Sequence, residues 1–94
     1  MDPKTILESA ALDLKSLSTS ATADKIHLLE MVQIPLNMLL TQSVTPDMKA
    51  ALDSICASIR ADKEASAAAP DAAVLAAEDL VLDLVRQCLE AIAV

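Results

Sequence analysis

Apolar residues recur at helical spacing along this chain, in four runs separated by polar stretches and prolines. The first run carries Ile6, Leu7, Ala10, Ala11, Leu14 and Leu17, and predicts a helix over residues 3–17. Ahead of it, "MDPK" places Asp2 at an N-cap and Pro3 at the first helical position, where a missing N–H removes no bond. "STSAT" at 18–22 gathers side chains that compete for backbone hydrogen bonds, which marks a turn. A second helix follows over 23–41, with Ile26, Leu29, Val32, Leu36 and Leu39 as its inner stripe. Leu28, Met31, Pro35 and Met38 form another stripe beside it, and Pro35 predicts a kink or a break.

"TPDM" opens the third run, with Thr45 as cap and Asp47 favouring the N-terminal end of the dipole. Met48, Leu52, Ile55, Cys56 and Ile59 then predict a helix over 46–65. The Ala-rich stretch 61–70, "ADKEASAAAP", lacks large apolar residues, so it is a solvated extension or a linker that Pro70 ends. Asp71 caps a fourth helix over 72–93, whose main stripe is Val74, Ala77, Val81, Leu84, Cys88 and Ile92.

Short connections predict an all-α fold, a small antiparallel up-down bundle of about four helices in one domain, 1–94. Glycine is absent, which removes the cheapest residue for tight hairpins, while Ala and Leu hold their helices at little entropic cost. A fold back near Ala72 sets Leu52 level with Ile92, Ile55 with Leu89, Ile59 with Val85 and Cys56 with Cys88. The fourth helix is apolar over more of its circumference than one side of a bundle needs. Leu80, Leu82, Val85, Leu89 and Ile92 are therefore the expected interface, and a second copy of the chain is the expected cover, giving a homodimer. The wide face of the second helix is the next candidate.

Composition narrows the partners. Apolar residues make up 54% of the chain without one Phe, Tyr or Trp, so the core is aliphatic and no base-stacking platform exists. A net charge of −7 opposes direct contact with nucleic acid or an anionic membrane. Five of the acids lie from Asp71 onward, against Arg86 alone. The start "MDPKTILESA" lacks the basic and apolar regions of a signal peptide, and no apolar run is long enough to span a bilayer. A soluble, cytoplasmic protein in a reducing compartment is the expectation.

Candidate chemistry is sparse. Cys56 and Cys88 sit on apolar stripes and read as two reduced core thiols. His27 follows Asp24 by three residues, a carboxylate–His pair that di-iron bundles use twice; one copy leaves it a rim residue, and no metal or other cofactor is expected. "LDSI" at 52–55 resembles the Asp-Ser-Leu motif of acyl carrier proteins, which are small, acidic and helical. That resemblance implies a modified serine opening a helix; Ser54 instead falls inside the third helix with no glycine before it, so it reads as a solvent-facing residue. Glu78, Asp79, Asp83 and Glu90 line the polar side of the fourth helix as a candidate acidic contact edge. With one histidine and no glycine-rich loop, no catalytic constellation assembles. The expected function is a non-enzymatic protein–protein module: a small regulator, inhibitor, adaptor or assembly factor. Two alternatives stand beside it, an acidic mimic of nucleic acid, and a carrier with a Leu/Met-lined cavity near Pro35.

Overall fold

Ala- and Leu-rich segments between the prolines coil into α1 (Pro3–Leu14), α2 (Thr22–Thr41), α3 (Lys49–Ala65) and α4 (Ala72–Glu90). The structure is a computed structural model and describes residues 2–69 and 71–92, among which there is no strand. Short 3-10 turns at Leu17–Thr19 and Pro46–Met48 precede α2 and α3. Among the described residues the fourth helix ends at Glu90, with Ala91 in a turn, short of the predicted end; Pro70 and residue 93 lie outside the described residues.

Local chemistry explains most boundaries. Asp71 Oδ1 accepts from the amides of Ala73 (2.9 Å) and Val74 (3.2 Å), satisfying two donors that the helix leaves open. Asp2 and Thr45 occupy cap positions with extended backbone, but neither side chain makes a capping bond. The first helix stops at Leu14, earlier than its apolar run predicts, because hydroxyls divert the backbone. Ser16 Oγ donates to the Asp13 carbonyl, and Thr19 and Ser20 donate to the Ser16 carbonyl. Leu17 reaches the core from the 3-10 turn instead. The third helix keeps its hydrogen bonding to Ala65, so the first half of the Ala-rich stretch is helical extension and 66–69 is turn.

No break occurs at Pro35: α2 runs from Thr22 to Thr41 through it. Pro35 is itself buried, between Val32 and Leu36 and with Leu29 and Leu39 farther along the same buried side. Packing on both sides of the missing bond holds the helix together where propensity alone would end it.

The core consists of side chains that the apolar stripes select. Leu29, Val32, Leu36 and Leu39 of α2 meet Leu52, Ile55 and Ile59 of α3 and Val74, Val81, Leu84 and Cys88 of α4 in one cluster, with Leu7, Ala11 and Leu14 of α1. The most extensive helix contact is α2 on α4; α1 packs on α3 and α2, and α3 on α4. Successive helices are therefore not always neighbours, since α2 and α3 share no broad contact. Thr22 and Lys25 of α2 lie by Val74 and Glu78 of α4, while Leu36 lies by Cys88. Those two points show α2 and α4 side by side and running in the same sense.

Candidate interaction surface

Three surfaces and one buried cluster bear on function. The fourth helix hides more of its apolar surface than the sequence predicts. Of the expected interface residues, Val85 is in the core at 1% exposure, and Leu82, Leu89 and Ile92 are half-buried against it. Leu80 alone remains open, at 49%. The reason is position: α4 has α2 on one flank and α3 on the other, so its wide apolar arc finds cover within the chain. Leu82, Val85 and Leu89, with Cys56 of α3, still border a shallow groove of about 570 Å³ whose rim holds Arg60 and Arg86.

Among the described residues, four of the six large apolar side chains left exposed lie on α2, the others being Leu12 of α1 and Leu80 of α4. Met31, Ile34 and Met38 are exposed, Ile34 at 64%, and their spacing of three and four places them in one row. His27, also exposed, continues that row one turn earlier. Leu28 and Pro35, which share a stripe with Met31 in sequence, turn toward α1, and Met31 itself borders the same space. They meet Ile6, Ala10 and Leu14 around a cleft of about 150 Å³. That volume is below the roughly 300–1,000 Å³ of small-molecule sites, which weighs against a carrier cavity at Pro35.

The expected acidic edge is shorter than its sequence and is largely neutralised. Asp79 is paired with Lys63 at 2.8 Å, Asp83 with Arg86 at 2.6 Å, and Glu90 with Arg86 at 2.9 Å. Gln87 also donates to Asp83 at 2.7 Å. These contacts hold the Asp83 carboxyl below its ordinary value, through Arg86 first, and push the Lys63 ammonium up through Asp79. A row of bare carboxylates imitating phosphates is not what this face presents. Glu78 does not belong to the edge at all. It is fully buried, because its place on α4 is four residues after Val74 and three before Val81, on the inner stripe.

Glu78 faces a second buried acid. Asp62 of α3, at 0% exposure, accepts from the Lys25 ammonium of α2 at 2.7 Å, and Lys25 also lies 3.5 Å from Ser66 Oγ. Asp62 Oδ2 and both Glu78 oxygens have no hydrogen-bond partner. Burial first, then the neighbouring Asp62 carboxylate, push the Glu78 carboxyl up to about 7, against weaker pulls from Lys63 and Lys25. The sequence reading missed this cluster. A signal was present: each charge takes the next place on an apolar stripe, Lys25 before Leu29, Asp62 after Ile59 and Glu78 after Val74.

Both cysteines are free thiols. Cys88 Sγ points at the Leu36 carbonyl oxygen, 3.7 Å away on α2, and burial pushes its thiol up, away from nucleophilic character. Cys56 is half-buried in the groove between α3 and α4. Ser54 is exposed within α3. Among the described residues, no three His, Cys, Asp or Glu side chains gather where they would hold a metal ion, and no helix is long and apolar enough to cross a membrane. No protein-family model matches this chain, and neither does any curated protein or any solved structure.

Proposed function

We propose that this chain is a non-enzymatic protein–protein interaction module, an antiparallel up-down bundle that a second copy completes through α2. The observation that carries this reading is the open row of Met31, Ile34 and Met38. A helix with apolar residues all round belongs in an interior, yet this one leaves a side to water. Charge favours a second copy as the cover. From Ile26 to Thr41 the only carboxylate or ammonium is that of Glu30, so two chains of net charge −7 meet there with the least repulsion. A regulator, inhibitor, adaptor or assembly factor works by presenting such a surface, and no chemical step is required of it.

Light scattering on the purified chain, with and without Ile34→Glu and Met38→Glu together, tests the reading. The parent should be a dimer at tens of micromolar and the variant a monomer of unchanged helix content. A parent that stays monomeric, with no change on substitution, overturns the second-copy reading. Substitution of Asp79 and Asp83 by Lys should leave the association intact.

A further inference from the structure

We propose that Glu78 and Asp62 together form one proton-binding site, and that release of its proton loosens the corner where α2, α3 and α4 meet. The geometry leaves a deficit that a proton fills. Two buried carboxylates face one ammonium, and Lys25 is already committed to Asp62 Oδ1 at 2.7 Å. Three carboxylate oxygens therefore lack donors. Two ionised carboxylates cannot donate to each other, whereas a protonated Glu78 becomes a donor and Asp62 Oδ2 is the open acceptor beside it.

The groups facing Glu78 do not supply an alternative. On α3, Lys63 is drawn to the surface by Asp79 at 2.8 Å. On α2, Lys25 serves Asp62, and Thr22 is uncharged. On α4 itself, one Asp71 oxygen is occupied by the helix cap. A cavity of about 70 Å³ adjoins Glu78 and gives an ionised carboxylate a place to draw in water. The turn 66–69 and the start of α4 border it, and these are the segments that should open.

The sign follows from a carboxyl at about 7 in the folded chain against 4.5 unperturbed. The folded state holds the proton more tightly, so its stabilisation is complete below the unperturbed value. It is then lost as pH rises through the folded value, and levels off above it. Within that window the ratio of closed to open chains falls by about tenfold per pH unit.

Carbon-13 carboxyl titration of the full chain, read by NMR, tests the site. Glu78 should titrate with a midpoint near neutrality, and Asp62→Asn should lower that midpoint by removing the neighbouring charge. Glu78→Gln, which keeps the shape and a donor, should flatten the fall in melting temperature between pH 5 and pH 8. It should also slow amide exchange at 72–78 relative to the parent at pH 8. A Glu78 midpoint in the ordinary carboxylate range overturns the proposal, as does an unchanged pH slope in Glu78→Gln. If that variant fails to fold, the titration of the parent chain decides alone.

Discussion

Three charged side chains, Lys25, Asp62 and Glu78, occupy positions whose helical spacing marks them as core. An ion pair taken out of water contributes little by itself, but losing one partner strands the other. Lys25→Met should therefore destabilise the chain by about 3–5 kcal/mol at pH 8 in urea denaturation, and by less at pH 5, where a shared proton relieves the two acids. The cap at Asp71 is a smaller effect: Asp71→Ala should lose about 1 kcal/mol, since two amides lose their acceptor. The cap was legible in "PDAAV" because capping depends on neighbours in sequence. The buried acids were not, because a carboxylate ordinarily marks a solvated face and its partners come from other helices. Placing Glu78 beside Asp79 on an outer edge follows the residue type; its true position follows the stripe.

At the scale of the helix, apolar spacing was a dependable guide to what faces inward. Leu29, Val32, Leu36 and Leu39, and likewise Leu52, Ile55 and Ile59, are core residues as their periodicity predicts. It was a poor guide to what remains outside. The fourth helix has a polar edge through Asp79, Asp83 and Arg86 and turns that edge to water, so its broad apolar arc is absorbed by two neighbours. The second helix has no comparable edge and is left with Ile34 exposed. Pro35 offers a test of how strongly packing holds α2. Replacing it with Ala restores a hydrogen-bond donor worth about 3 kcal/mol of helix preference. It also removes about two buried methylenes, roughly 1.6 kcal/mol, so Pro35→Ala should stabilise the fold by about 1 kcal/mol in thermal or urea unfolding.

For the whole molecule, the arrangement of neighbours was the least legible feature. An apolar stripe states that a face is buried but not which helix buries it, and short connections suggested that α2 and α3 would lie together. Instead α2 finds α4, as the contact between Leu36 and Cys88 shows across 52 positions of sequence. This pairing has a consequence for how the chain is made. The largest interface joins the second segment to the last, so loop closure must bring distant parts together before that interface contributes. Synthesis that halts at Ala65 would leave α2 bare on its inner flank as well as its outer one. Such a fragment should clump rather than fold, and adding a separate peptide of residues 70–94 should rescue its solubility.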